Sequence, residues 1–249
     1  MKPIILCFLL SAAFASCQQN SNNVLQIATS ANAQFAIKEI GGVFTQETGV
    51  EVNIIQGSSG KLLAQITEGA PYDIFISADL KYPQKLYRAG LATQKPSVYA
   101  YGKLVLWTSK KTEASLDMLT QDKVFHIALA NPKTAPYGLA AKQFLQHHKL
   151  FNALKEKLVF GESVSQTTQF INSGAAEIGF TALSVVMSSP LKNVGHWIEL
   201  DTTAYSPIAQ SVVIIKTGNK NMEQAEKFYQ FLFTHKAKII LKKYGYLMN

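Results

Sequence analysis

Four short segments rich in hydroxyl and small residues stand where a strand-like run gives way to a helical pattern. They are residues 29–30, 58–59, 135–138 and 163–164. The first turn of a helix carries unpaired N–H groups and the positive end of the helix dipole, so each junction is suited to hold an anion. Each serine or threonine is equally suited to be an ordinary helix cap. Four such junctions together favour an anion site made of uncharged donors.

The elements that must position these junctions alternate between strand and helix. Apolar runs typical of buried strands occur at residues 24–28, 52–55, 73–77, 127–130, 159–160 and 177–180. Helical patterns follow them, which predicts an α/β fold with mostly parallel sheets flanked by helices. Ligands of such sheets bind at the carboxyl ends of the strands, where the four junctions fall. Gly41 and Gly42 are expected to end the first helix, and residues 222–244 to form a last helix that packs on the first lobe.

Two further apolar runs, at residues 103–107 and 210–215, bracket the middle of the chain. No linker rich in Pro, Gly or Ser separates the halves. We therefore expect two lobes joined by two hinge crossovers. The first lobe comprises residues 24–102 and 205–249, and the second comprises residues 103–204.

Composition limits the class of protein. The chain has 249 residues, of which 47% are hydrophobic and 16% charged, so it can bury one large or two medium cores. Its formal charge is +8, but the lysines are scattered, so nucleic acid is not an expected partner. The five histidines lack the spacing of metal ligands, and no glycine-rich phosphate loop occurs. Neither a bare metal cation nor a cofactor is expected.

The N-terminus has the pattern of a secretory signal. A basic residue precedes an apolar run that is shorter than the roughly 20 residues needed to span a bilayer. Residues 1–16 are predicted as the signal peptide, because residues 14–17 resemble a lipoprotein cleavage box and end in Cys17. Residues 17–23 would be the lipidated N-terminus and a polar tether. Cleavage after the Ala-Phe-Ala of residues 13–15 is the alternative, and it would leave a lone thiol in an oxidising compartment.

A serine acyl-enzyme hydrolase is the alternative from another class of protein. Residues 58–61 contain an S-x-x-K pattern and residues 216–218 read K-T-G, both parts of the signature of penicillin-recognising enzymes. The S-x-N or Y-x-N element that belongs between them is absent from the sequence. A binding protein without catalytic activity is therefore favoured.

Three motifs make the chain similar to the molybdate-binding proteins of bacterial ABC importers. They are Ala-Thr-Ser-Ala-Asn-Ala at residues 28–33, Gly-Ser-Ser-Gly-Lys-Leu at residues 57–62 and Gly-Ala-Pro-Tyr-Asp-Ile-Phe-Ile-Ser-Ala-Asp at residues 69–79. The resemblance implies a two-lobed, hinged periplasmic-binding-protein fold of type II that clamps tetrahedral molybdate or tungstate. It also implies a location in the periplasm of the bacterial envelope and an inner-membrane ABC permease with its ATPase as partner. We expect a monomer that touches the membrane only through its lipid.

The same resemblance implies which residues contact the anion. The positions are Thr29 and Ser30 for the first contact, Ser59 with the adjacent Ser58 for the second, and the main-chain N–H groups of Tyr137 and Val164 for the other lobe. Whether Thr29 or Ser30 supplies the first hydroxyl stays open. Some members of the family add a tyrosine after the strand at residues 178–180, where this chain reads Thr-Ala-Leu.

Uncharged donors suffice physically for such a site. A buried dianion is costly to desolvate, but each hydrogen bond to a charged group contributes about 1.5 to 3 kcal/mol. Because the junctions offer no carboxylate, hydrogen phosphate would leave its O–H unmatched. Sulfate is fully ionised and would be excluded only by the size of the cavity. A receptor for sulfate or another oxyanion is therefore the alternative among binding proteins.

Overall fold

The computed structural model describes residues 24–216 and 221–248. The predicted signal peptide, Cys17 and the tether lie outside these residues, as do the last two residues of the K-T-G pattern. Within the described ranges, no helix is both long enough and apolar enough to cross a membrane.

Strands and helices alternate along most of the described chain. The strands are β1 (Leu25–Ser30), β2 (Val52–Gly57), β3 (Ile74–Ser77), β4 (Ser97–Gly102), β5 (Leu104–Thr108), β6 (Ile127–Ala130), β7 (Leu158–Gly161), β8 (Ile178–Ala182), β9 (His196–Glu199) and β10 (Ile208–Ile214). The helices are α1 (Gln34–Thr48), α2 (Ser59–Thr67), α3 (Lys81–Arg88), α4 (Pro136–His147), α5 (Val164–Asn172), α6 (Leu183–Val186), α7 (Met222–Leu232) and α8 (His235–Lys243).

These strands form two five-stranded sheets of the same design. The first sheet has the order β2-β1-β3-β10-β4, and the second has the order β7-β6-β8-β5-β9. In each sheet the first three strands are parallel, and the last two run antiparallel to their neighbours. The predicted two-lobed α/β fold is confirmed, with each sheet mixed and its parallel half carrying the strand ends that lead into helices.

The chain crosses between the sheets twice. It passes from β4 to β5 through Lys103 alone, and it returns from β9 to β10 through residues 200–207. The hydroxyl oxygen of Tyr205 in the return segment accepts the N–H of Leu104 at 3.2 Å, so the two crossovers lie side by side. We propose that the lobe boundaries lie after residues 102 and 204.

The last two helices pack on the first sheet. The ring of Phe44 in α1 lies edge-on to the rings of Phe228 and Phe231 in α7, with centroids 5.1 and 5.5 Å apart. These rings share one core with the buried side chains of β1. The prediction of a single helix over residues 222–244 is wrong, however. The helix is interrupted before Thr234. The Oγ1 of Thr234 accepts the N–H of Ala237 at 3.3 Å, so Thr234 is the N-cap of α8.

The first helix does not end at Gly41 and Gly42, as the sequence predicted. It continues to Thr48 and ends at Gly49, which has φ 71°. A Cβ at Gly41 would lie 2.7 Å from Cγ2 of Val52 in β2. Gly41 therefore allows the helix to pack closely on the sheet and does not end the helix.

The two adjacent glycines of α1 should respond differently to alanine. Gly42 is exposed, and a Cβ there would meet nothing within 4 Å, so Gly42→Ala should raise the free energy of unfolding by about 0.5 to 1 kcal/mol through helix propensity. Gly41→Ala should lose that gain because the methyl group displaces Val52. Urea unfolding of both variants measures the difference, and equal stabilisation of both would contradict the packing role of Gly41.

Candidate functional site

A small cavity lies where junctions from both lobes meet. The centre of a water molecule can occupy about 10 Å³ of it. Its lining residues are Ser30, Ala31, Asn32, Gly57, Ser58, Ser59 and Ala78 from the first lobe and Ala135, Pro136, Tyr137 and Val164 from the second. We call it the interlobe cavity. None of these lining residues carries a charged side chain.

The first strand brings Ser30 to the interlobe cavity. Ser30 ends β1, and its buried Oγ has no hydrogen-bond partner among the described residues. Thr29 is not one of the lining residues, although its Oγ1 is also buried without a partner in that part of the chain. Successive side chains of a strand point to opposite faces. Of the two residues left open for the first contact, the structure therefore places Ser30 at the cavity.

The junction between β2 and α2 contributes two serines with different surroundings. Ser58 is extended and precedes the helix, and its buried Oγ has no partner among the residues described. Ser59 begins α2, and its Oγ accepts the N–H of Ala78 at 3.1 Å. Ser59 can therefore still donate its own proton, while its lone pair anchors the loop after β3. Both serines are almost fully buried at the cavity.

In the second lobe, Tyr137 presents its main chain to the cavity. Helix α4 begins at Pro136, which has no N–H, so Tyr137 carries the first main-chain donor of that helix. The first hydrogen bond of the helix is donated by Leu139 to Ala135, which leaves the N–H of Tyr137 outside the helical pattern. The phenol of Tyr137 packs against Gly102 at the end of β4, where a Cβ would lie 2.0 Å from the hydroxyl oxygen of Tyr137.

Val164 occupies the matching position at the start of α5. Ser163 precedes the helix, and its Oγ accepts the N–H of Gln166 at 3.4 Å, so this serine acts as a cap. Thr167 donates its N–H to the carbonyl of Ser163. The N–H of Val164 therefore remains outside the helical hydrogen bonds, and Val164 itself lines the cavity.

Asn32 is a lining residue that the sequence did not single out. Its Nδ2 donates to Oε1 of Gln210 at 2.8 Å and to the hydroxyl of Tyr246 at 3.0 Å. The main-chain carbonyl oxygen of Asn32 accepts a hydrogen bond from the hydroxyl of Ser184, which belongs to the second lobe, at 2.8 Å. Asn32 stands inside the 28–33 motif, but nothing local shows that its partners come from residues 184, 210 and 246.

Burial shifts the pKa of several ionisable groups near the cavity, among them two phenols and one carboxylate. Burial raises the pKa of Tyr246 to about 12 and holds the pKa of Tyr137 well above its ordinary value, so both stay protonated at neutral pH. Burial also raises the pKa of Asp79, while bonds from the N–H of Tyr82 and the hydroxyl of Ser77 act in the opposite direction. That carboxylate is thus tied to the start of α3.

The two lobes touch each other around the interlobe cavity. The N–H of Gly60 donates to the carbonyl of Thr134 at 2.8 Å, and the hydroxyl of Tyr82 donates to the carbonyl of Lys133 at 3.0 Å. At the outer rim, Nε2 of Gln34 donates to Oγ of Ser165 at 2.8 Å. These direct contacts describe a closed arrangement of the lobes.

The position of the family tyrosine contributes nothing to the cavity here. Residues 181–183 are buried, but none of them is a lining residue. The Oγ1 atoms of Thr181 and Thr168 lie 2.9 Å apart and share a hydrogen bond. The hydroxyl of Thr181 is therefore hydrogen-bonded within the second lobe.

Two other chemistries find little support at this site. Nζ of Lys61 lies 2.7 Å from a carboxylate oxygen of Glu162 in an exposed ion pair, which argues against Lys61 acting as a base for Ser58. In residues 24–216 and 221–248, no group of three His, Cys, Asp or Glu side chains could hold a metal ion.

The three serines should differ in their effect on the stability of the anion-free protein. Ser59→Ala removes the acceptor of the Ala78 N–H and should lower the free energy of unfolding by about 1 to 3 kcal/mol. Ser30→Ala and Ser58→Ala remove hydroxyls that have no partner among residues 24–216 and 221–248, and each should change it by less than about 0.5 kcal/mol. Chemical denaturation of the three variants checks this order. A loss for Ser58→Ala equal to that for Ser59→Ala would contradict the geometry.

Comparison with known proteins agrees with the fold and the motifs. Residues 25–247 match the family described as bacterial extracellular solute-binding protein. The chain is 38% identical over 222 residues to the molybdate-binding protein ModA of Rhodobacter capsulatus, which covers 88% of this chain and 86% of that protein. It is 29% identical over 248 residues to a putative ABC transporter substrate-binding lipoprotein, YvgL, of Bacillus subtilis, covering 96% of this chain and 94% of that protein. The periplasmic molybdate-binding protein of Azotobacter vinelandii superimposes with a TM-score of 0.85 at 37% identity, covering 90% of this chain and 99% of that one. The chain belongs to the family of bacterial extracellular solute-binding proteins.

Proposed function

We propose that the protein is the receptor of a bacterial ABC importer and that it captures molybdate or tungstate in the interlobe cavity. The observation that carries this proposal is the convergence of uncharged donors from both lobes on one small space. Ser30 and Ser58 line the cavity, their buried hydroxyls have no hydrogen-bond partner in the described part of the chain, and no lining residue is charged. The relatives from Rhodobacter and Azotobacter, at 38% and 37% identity, are named for molybdate.

The donors are divided between the lobes, which couples binding to closure. Ser30, Ser58 and Ser59 belong to the first lobe, while the N–H groups of Tyr137 and Val164 belong to the second. An anion held by one lobe alone would keep part of its surface in water. Contact with both lobes therefore favours the closed state by the hydrogen bonds that only this state completes.

The donor set also sets the selectivity that we propose. Each hydrogen bond to a charged group contributes about 1.5 to 3 kcal/mol, so several neutral donors can offset the desolvation of a dianion. No lining residue carries a carboxylate that could accept the O–H of hydrogen phosphate. Sulfate matches the charge of molybdate but is smaller, so the size of the closed cavity must separate the two.

We further propose that the protein acts without catalysis, as a monomer that hands the anion to an inner-membrane permease with its ATPase. The two lobes close on the anion, and the closed form is the one that the permease receives. A receptor for sulfate or another oxyanion is the second candidate, since the same uncharged donors would serve any dianion of suitable size.

Calorimetry with four anions tests the assignment. Molybdate and tungstate should bind with heat, sulfate at least tenfold more weakly than molybdate, and phosphate without measurable heat. Ser30→Ala should weaken molybdate binding about 10-fold to 150-fold, the equivalent of one hydrogen bond to a charged group. The exposed Ser173→Ala serves as the matched control and should bind like the unchanged protein. No heat with molybdate or tungstate would overturn the proposal, and tighter binding of sulfate would favour the second candidate.

We also propose that Cys17 carries a lipid anchor in the bacterial envelope. The 14–17 box supports this, as does the similarity to a Bacillus subtilis protein named as a lipoprotein. Expressed in a bacterial host with radioactive palmitate, the full chain should be labelled, and Cys17→Ser should not be. Cys7→Ser, which changes the other cysteine, is the control and should keep the label. A label that survives Cys17→Ser, or an unlabelled chain cleaved after Ala15, would contradict the anchor.

A further inference from the structure

One main-chain contact beside the interlobe cavity joins the lobes without any side chain between them. The N–H of Gly60, in the first turn of α2, donates to the carbonyl oxygen of Thr134 at 2.8 Å. That N–H is one of the donors that a helix start offers to an anion. Here the opposite lobe takes it, so α2 divides its free donors between the cavity and the other lobe.

The approach at this contact leaves little room for a side chain at Gly60. A Cβ at Gly60 would lie 3.0 Å from Cα of Thr134, 3.0 Å from its carbonyl oxygen and 3.0 Å from the hydroxyl of Tyr82. Two of these three atoms belong to the main chain. The hydroxyl of Tyr82 is itself held by the carbonyl of Lys133 at 3.0 Å. A Cβ at this position would therefore require these neighbours to shift by a few tenths of an ångström, and two of them are main-chain atoms of the other lobe.

The loop that meets Gly60 cannot give way easily. The N–H groups of Thr134 and Ala135 both donate to the carbonyl of Asn131, at 3.1 and 2.8 Å. Oδ1 of Asn131 accepts the N–H of Lys133 at 3.0 Å, and its own N–H donates to the carbonyl of Gly161 in β7 at 2.7 Å. The loop is thus fixed to the second sheet, and it behaves as part of the lobe.

The contact also lies directly beside the proposed anion donors on both sides. Gly60 follows Ser58 and Ser59 in the chain, and Thr134 precedes Ala135, Pro136 and Tyr137. The distance between the two lobes at this contact therefore fixes the distance between the serine hydroxyls of one lobe and the N–H of Tyr137 in the other.

We propose that the contact between Gly60 and Thr134 is a mechanical stop that sets the closed separation of the lobes and so selects the size of the anion. This inference rests on the proposed function. Once Gly60 meets Thr134, the lobes cannot close further, so a dianion smaller than molybdate reaches the donors of one lobe only. An anion of the right size completes its hydrogen bonds to both lobes at the separation where the stop engages.

Gly60→Ala tests the stop, since its methyl group would hold the lobes apart by a few tenths of an ångström. Gly60 has no left-handed φ and lies in the first turn of a helix, so alanine fits the local backbone. Molybdate affinity should fall at least tenfold through faster dissociation, while sulfate affinity should change less than threefold. The ratio of molybdate affinity to sulfate affinity should therefore fall. Gly42→Ala, also a helical glycine but with open space around it, should change neither affinity.

A second pair of variants separates the stop from the loss of a donor and from crowding by the tyrosine. Ser30→Ala removes one donor and should weaken molybdate and sulfate by similar factors, leaving their ratio in place. Gly60→Ala with Tyr82→Phe should remain defective, because the main chain of Thr134 still blocks the methyl group. Full recovery in the double variant, or an unchanged ratio in Gly60→Ala, would overturn the stop. Failure of the unchanged protein to bind molybdate would instead overturn the proposed function.

Discussion

A dianion without a counter-charge can be buried only if enough neutral donors reach it at the same moment, and this constraint organises the molecule. One helix start or one hydroxyl contributes too little to offset desolvation. The interlobe cavity gathers such donors from both lobes, and no lining residue is charged. The consequence is that the complete site exists only when the lobes are closed.

The fold meets this requirement with two sheets of the same design. The parallel half of each sheet delivers strand ends to a common edge, where helix starts face the other lobe. At one side of the cavity, Asn32 is held by Gln210 and Tyr246 of its own lobe and accepts the hydroxyl of Ser184 from the second lobe through buried hydrogen bonds. At the other side, Gly60 and Thr134 bring main chain against main chain. The cavity is thus bounded by contacts that fix its dimensions.

Local sequence signals predicted the parts of the structure that depend on local physics. Hydroxyl and small residues after apolar runs marked the four junctions, and Pro136 marked the start of α4 and hence the N–H of Tyr137. Signals whose meaning depends on distant residues were misread or missed. Gly41 looked like a helix end but is a contact with Val52, and the role of Asn32 depends on residues more than 150 positions away. The choice between Thr29 and Ser30 needed the orientation of β1, which the sequence alone left open.

A crystal structure of the complex with molybdate would show whether neutral donors from both lobes enclose the anion. Such an enclosure predicts an anion whose oxygens lie within hydrogen-bonding distance of the hydroxyls of Ser30 and Ser59 and of the N–H groups of Tyr137 and Val164. It also predicts that no lysine or arginine touches the anion. A basic side chain in direct contact with molybdate, or an anion held by one lobe alone, would contradict it.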